Sequence, residues 1–371
     1  VAASVAGLTL AFGPMLWGQA VIAEVHALNA LFVAAMCYLA PPWANEDGPL
    51  SPRAKVALGL AWGLGLGNSL TLAAMAPIAL SALWSGARGR WAGLAALAAG
   101  LGVYALIPIR TNVQPPINWG DARTLDDFAW LVSGGLYRGY AFGAPPELML
   151  QRLIALPRLW LDQLGWLGAL WAVYGLAARP AATLVSGALY VGFSIAYNTA
   201  DSDLYLIPVW VLSAGYLGVG LARALERSAR RAVRALIGIA ACAAVVGMLV
   251  IGWPAQDLSD DRTAAEFARA TLGALPPDAI LVTHADAHTF ALWYYRLVSG
   301  WRQDVSIVDA RLSGYAWYAS MLQAQGAAPV LPPEGDAAAL AGRLRAANPS
   351  RPTCELIPLH RAEDISGLRC N

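Results

Sequence analysis

The feature that most constrains this chain is how often it returns to apolar stretches suited to a bilayer. A helix needs about 20 mostly apolar residues to cross the hydrocarbon core. Candidate segments fall at 1–16, 19–41, 54–66, 68–85, 91–109, 157–178, 182–199, 203–222 and 234–253. Composition agrees, with 58% of the 371 residues hydrophobic and 13% charged. Soluble domains run at about 45–50% and about 25%. The chain is therefore not an ordinary soluble enzyme, a disordered chain or a nucleic-acid binder. Its charge is unevenly divided: residues 1–253 hold 15 Lys+Arg and 11 Asp+Glu, net +4, whereas 254–371 hold 10 Arg and 13 acids, net −3. We expect a multi-span α-helical membrane domain over 1–253 and a small soluble α/β domain over 254–371. Pro254 and the polar stretch Gln256–Asp261 supply the linker.

Glycines 63, 65 and 67 interrupt the stretch 54–85 and predict a break near Asn68-Ser69, giving about nine spans. Charge bias tests that number, because basic residues gather in cytoplasmic turns. The cluster Arg223, Arg227, Arg230, Arg231 and Arg234 then lies inside. The turns with Arg179, with Arg88 and Arg90, and with Arg53 and Lys55 fall on the same side only if 54–85 crosses twice. The loop 110–156, the turn Asp201-Ser202-Asp203 and the whole tail lie outside the cytoplasm. Within the tail, strands expected at 279–283, 305–308 and 354–357 alternate with helices expected at 288–299, 314–325 and 335–347. That alternation indicates a small parallel sheet. Cys354 and Cys370 would pair in an exported tail, while Cys37 and Cys242 lie in apolar stretches as packing residues. A single Lys beside 24 Arg reads as the coding bias of a GC-rich bacterium, so the expected location is a bacterial inner membrane. Val1 opens inside an apolar run, and we expect the chain to be part of a longer protein.

Ionisable groups in membrane segments mark functional sites. Glu24, in Gln19-Ala-Val-Ile-Ala-Glu24-Val-His26-Ala-Leu-Asn29, either lines a polar cavity on the outer half or pairs with an Arg of a neighbouring helix. His26 suits a satisfied buried histidine. Asn68 and Ser69 sit at the expected break, where freed N–H groups can meet an anion or a sugar hydroxyl, or where glycines merely allow close packing. The loop residues Arg110, Asn118, Trp119, Asp121, Arg123, Tyr137 and Arg138 suit a phosphate-linked sugar, or equally a loop that ties helices at the interface. Asp201 and Asp203, beside Tyr205, suit a divalent cation or a helix N-terminus. His284-Ala-Asp286-Ala-His288 has metal-ligand residue types, but a strand-to-helix turn there would scatter them.

The stretches Gln19–Asn29, Gly63-Leu-Gly-Leu-Gly-Asn68-Ser-Leu-Thr71 and Pro115-Pro-Ile-Asn118-Trp-Gly-Asp121-Ala-Arg123-Thr resemble the membrane family called domain of unknown function 2723. So do Asp201-Ser-Asp203-Leu-Tyr205 and the tail's Ala279-Ile-Leu-Val-Thr with Asp286, Thr289-Phe290 and Leu292-Trp293-Tyr294. That family is similar to an animal protein O-mannosyltransferase and to the GT-C glycosyltransferases. The resemblance implies a polyprenyl-phosphate-linked sugar donor in the lipid bilayer, a protein or glycan acceptor on the extracytoplasmic side, and inversion at the anomeric carbon. It places the catalytic carboxylate in an outer loop absent here, a region expected to precede Val1. His284-Ala-Asp-Ala-His288 stands where relatives often carry Gly-Asp-Asn-Asp. Glu24, Asn68, Arg110, Asp121, Arg138 and Asp203 are then expected in supporting roles. The rival readings are a transporter or flippase for a lipid-linked or polar substrate, and a non-catalytic assembly protein.

Overall fold

The computed structural model describes residues 1–42, 48–176, 181–325, 329–331, 339–357 and 367–370. The expected turn at Arg179 and residues 335–338 of an expected helix lie outside them. The helices begin with α1 (Ala2–Ala11), α2 (Pro14–Ala20), α3 (Val25–Leu39) and α4 (Pro52–Asn68). A 3-10 turn over Leu70–Met75 leads into α5 (Ala76–Leu83), and α6 (Arg90–Leu101) and α7 (Leu106–Asn112) follow. Next come α8 (Leu125–Val132), α9 (Pro146–Gly175, kinked at Gly165), α10 (Ala181–Ala196), α11 (Ile207–Arg227) and α12 (Arg231–Gln256). The chain forms two compact units: Val1–Tyr104 with Leu136–Leu258, and Ala105–Gly135 with Ser259–Asn371. The first half of the expected outer loop thus belongs with the tail, and its last residues already form α9.

Three helical stretches among the described residues are long and apolar enough to cross a membrane: Arg90–Asn112, Ser202–Arg227 and Arg231–Gln256. The bent pair α2 and α3 makes a fourth if it counts as one span. This is fewer than the nine expected from apolar runs. The runs are present, but polar corners and helix breakers cut several of them short. The segment 19–41 is not one helix: α2 and α3 meet at 116°, with Glu24 extended at the corner. The stretch 54–85 does fold back at its midpoint. Ser51 caps α4 by accepting from the Ala54 N–H at 3.2 Å, helped by Pro52 in the first turn. The helix ends at Asn68, Ser69 is extended, and the indole N–H of Trp62 donates to the Leu72 carbonyl across the hairpin at 3.1 Å. Glycines bring backbones into contact. A Cβ at Gly59 would overlap the Gly93 carbonyl, and one at Gly63 the Leu97 carbonyl. Gly175 and Gly220 do the same for α9 against α11. Leu58, Trp62, Leu72, Met75, Ile78, Leu83, Tyr190 and Trp210 fill the core beside them.

The sheet unit adds α13 (Thr263–Ala274), β1 (Ile280–Thr283), α14 (Asp286–Trp293) and β2 (Ser306–Asp309). It continues with α15 (Ala316–Ala324), α16 (Leu340–Ala347), β3 (Thr353–Leu356) and β4 (Leu368–Cys370). The strand order is β2-β1-β3-β4, with β1 parallel to both neighbours and β4 antiparallel to β3. Ile280-Leu281-Val282 and Ile307-Val308 are buried throughout, as continuous apolar strands in a covered parallel sheet should be. Arg296, buried after α14, donates through Nε to the Val305 carbonyl at 2.6 Å. Arg302 gathers the carbonyls of Leu272, Leu275 and Pro276. Cys354 and Cys370 stand opposite each other in the β3–β4 register and form a disulfide. Cys370→Ser should lower the stability of this unit by about 3 kcal/mol, as expected for a closed loop of about 15 residues, measured by denaturant unfolding with and without reductant. An unchanged midpoint would show that the bond adds nothing to the fold.

Candidate functional site

One end of the helical unit collects most of the site residues read from the sequence. The Asn68 side-chain amide, at the end of α4, donates to the Val25 carbonyl at 3.1 Å and fixes the start of α3. His26 meets the Tyr205 ring edge-on, centroids 5.6 Å apart. The charges of Glu24, Asp201 and Asp203 all reach His26. Glu24 and Asp201 are exposed and Asp203 half-buried. Neither Glu24, at the N-cap of α3, nor Asp201, at the N-cap of the 3-10 turn Ser202–Leu206, makes a side-chain cap bond. Asp201 at the N-cap and Asp203 in the first turn stand where acids favour a helix N-terminus, without a side-chain cap bond. Asn29, one turn into α3, is 3% exposed. Its side-chain oxygen and that of Gln19 are buried without a hydrogen-bond partner among the described residues.

Sequence reasoning missed the frame around this cluster. Phe193 and Tyr197 both pack on the Tyr205 ring. Tyr140 joins them through Tyr197, and its carbonyl accepts from the Asn198 N–H at 2.9 Å. Arg138 lies exposed two residues before Tyr140. Beneath them, Arg152 on α9 donates to the carbonyls of Ser194, Ile195, Tyr197 and Thr199. A cation at a helix C-terminus satisfies carbonyls that have no partner inside the helix, and here it holds the turn that presents Asp201. Arg152 falls in the stretch 110–156 read from the sequence as an outer loop, and no residue pattern there points to it. The opposite end of the unit carries the bases: Lys55, fully buried, donates to the Gly86 carbonyl at 2.7 Å, and Arg223 and Arg227 close the other end of α11.

Arg110, Asn118, Trp119 and Asp121 belong to the sheet unit. Asn118 accepts from Thr111 and donates to Asp121 at 2.6 Å, and Asp121 also accepts from Arg123 at 2.9 Å. These polar groups therefore tie the loop together. Trp119 lies against Trp317 and Phe290, centroids 5.3 and 6.3 Å away. Arg110 is exposed in the last turn of α7. The His284–His288 motif is a strand-to-helix turn. His284 pairs with Glu355 at 2.9 Å, Asp286 with Arg311 at 2.5 Å, and His288 stacks on Phe267. Burial opposes the Arg311 charge, but the hydrogen bonds it donates to the Asp309 and Asp286 carboxylates outweigh that and raise its pKa. Among the described residues, no group of three or more His, Cys, Asp or Glu side chains could hold a metal ion.

Residues 1–103 match the family model described as the protein O-mannosyl-transferase TMEM260 N-terminal domain, and residues 264–333 match the TMEM260-associated domain 2. The chain is 25% identical over 344 residues to the protein O-mannosyl-transferase TMEM260 of Mus musculus, an alignment covering 83% of this chain and 49% of the mouse protein. It thus spans about half the length of that curated relative. No solved structure matches the chain. These similarities support a glycosyltransferase-like family.

Proposed function

We propose that the chain is the membrane-embedded part of a GT-C-type glycosyltransferase, moving a sugar from a polyprenyl-phosphate donor to a protein or glycan acceptor. The observation that carries this reading is the convergence of Glu24, His26, Asp201, Asp203 and Tyr205 at the end of the helical unit away from its basic turns. The printed name of the mouse relative, protein O-mannosyl-transferase, supports transfer to a protein hydroxyl. In an inverting step the acceptor oxygen attacks the anomeric carbon, the bond to phosphate breaks, and a carboxylate takes the hydroxyl proton. The departing phosphate needs cationic partners, and Arg138 is the guanidinium nearest in sequence to the cluster's tyrosines.

Glu24, His26, Asn29, Asn68, Asp201, Asp203 and Tyr205 bind the substrates in this reading. Buried polar groups are nearly always paired, so the open acceptors on Asn29 and Gln19 suit sugar or acceptor hydroxyls. Arg110, Asn118, Trp119 and Asp121 stand as substrate-binding candidates within the sheet unit. The acidic end and the disulfide-bonded tail lie on the extracytoplasmic face of a bacterial inner membrane, because disulfides persist in oxidising compartments and basic turns stay inside.

Glu24→Gln in the intact protein should cut sugar transfer at least about 100-fold, the scale of acid–base and positioning losses, with the amount of protein in membranes unchanged. Transfer at the normal rate would remove Glu24 from the site. A phosphatase reporter fused after residue 371 should be active in the periplasm; activity confined to the cytoplasm would reverse the proposed orientation.

A further inference from the structure

Asp286, Asp309 and Arg311, charged groups of the sheet unit that the transfer reaction does not use, meet at the carboxyl ends of its parallel strands. From β1 the chain crosses to β2 on one side, whereas β3 pairs with the other edge of β1. Such a switch in strand order opens a crevice outside the carboxyl ends, where α/β sheets bind ligands. Thr283 and Asp309 end β1 and β2 in register. Asp309 is buried and accepts from Thr289 at 2.8 Å and from the Arg311 Nε at 3.1 Å. Arg311 then reaches outward to Asp286, and here the clamp opens to solvent, with side-chain exposures of 42% for Arg311 and 65% for Asp286.

A run of rings borders this clamp. Phe290 lies one turn beyond Asp286 on α14, hence on the same helix face, and is 47% exposed. From Phe290 the run passes through Trp119, Trp317 and Tyr315 to Trp130, with neighbouring centroids 5.3 to 6.3 Å apart. Tyr315 returns the run toward the clamp, since a tight turn in which its N–H donates to the Leu312 carbonyl joins it to Arg311. The indole N–H of Trp317 has no partner among the described residues. Packing of the loop against the tail accounts for Trp119. It does not account for an exposed carboxylate, paired with a guanidinium, one helical turn from an exposed ring.

We propose that this edge is a carbohydrate-binding site that takes a neutral pyranose. The C–H face of the sugar lies on Phe290, and its hydroxyls bond the outer edge of the Asp286–Arg311 pair. The chemistry selects this class. Two carboxylates around one guanidinium leave the clamp net negative, which disfavours phosphates and other anions. Hydroxyls need the donors and acceptors that a carboxylate and a guanidinium offer side by side, and aromatic faces supply the apolar contact. The site stands on the sheet unit alone and does not depend on the transfer reaction assigned to the helices.

Saturation-transfer NMR on the full chain in detergent micelles tests it, with methyl α-mannoside, methyl β-glucoside and methyl β-galactoside as probes and inorganic phosphate as competitor. At least one glycoside should receive saturation, phosphate should not displace it, and Phe290→Ala and Asp286→Asn should each weaken binding about tenfold. Both positions are exposed, and an unchanged melting temperature confirms folding. Glu266→Gln, exposed on α13 and outside both sites, should leave the signal unchanged. No transfer to any of the three glycosides, or equal transfer with both sheet-unit variants, would overturn the site. Loss on Glu24→Gln alone would move sugar binding to the helical unit, overturning this inference while leaving the transferase reading intact.

Discussion

Backbone contact between α9 and α11 at Gly175 and Gly220 holds the helical unit in shape. Apolar helices in lipid gain little from hiding apolar surface, so they associate through close packing and polar contacts between helices. A Cβ at Gly175 would overlap the Tyr216 carbonyl, and one at Gly220 the Trp171 carbonyl. With α11 pinned, both its ends are placed. Arg223 seals the far end by donating to the Gly175 carbonyl at 3.3 Å. At the near end, Asp201, Asp203 and Tyr205 are presented to the start of α3. Gly59 and Gly63 of α4 repeat the device against α6, and the end of α4 then delivers Asn68 to Val25.

The result is a polarised unit with acids and tyrosines at one end and bases at the other. The segments that carry the acids are fixed through their backbone carbonyls. Arg152 spends its guanidinium on four carbonyls, and Asn68 its amide on another. The carboxylates of Glu24 and Asp201 are left out of any cap and available to a ligand. The sheet unit follows the opposite plan: Asp309 and Arg311 form a buried-to-exposed pair that only its outer edge can share.

Much of this was legible in the sequence, and the misses have physical causes. The helical part, the fold-back at Asn68-Ser69, the parallel sheet and the Cys354–Cys370 pairing follow from periodicity, glycine placement and charge bias. The number of spans does not, because hydropathy cannot tell a straight segment from one bent through 116° between Ala20 and Val25. Glu24 read as a residue within a helix and proved to be a corner residue for that reason. Trp119 and Asp121 have the residue types of a sugar site, yet their partners Trp317 and Arg123 become visible only once the loop is packed. Arg152 was passed over because its targets are carbonyl groups, which every sequence has and no motif reveals.

The central claim is that the acidic end of the helices is where the lipid-linked sugar binds. Cross-linking with a photoreactive polyprenyl-phosphate sugar, followed by peptide mapping of the intact protein, addresses it most directly. The account predicts adducts within residues 19–29, 68–71 and 197–205. Adducts confined to 53–55, 86–90 and 223–234 would place the donor at the basic end and contradict it.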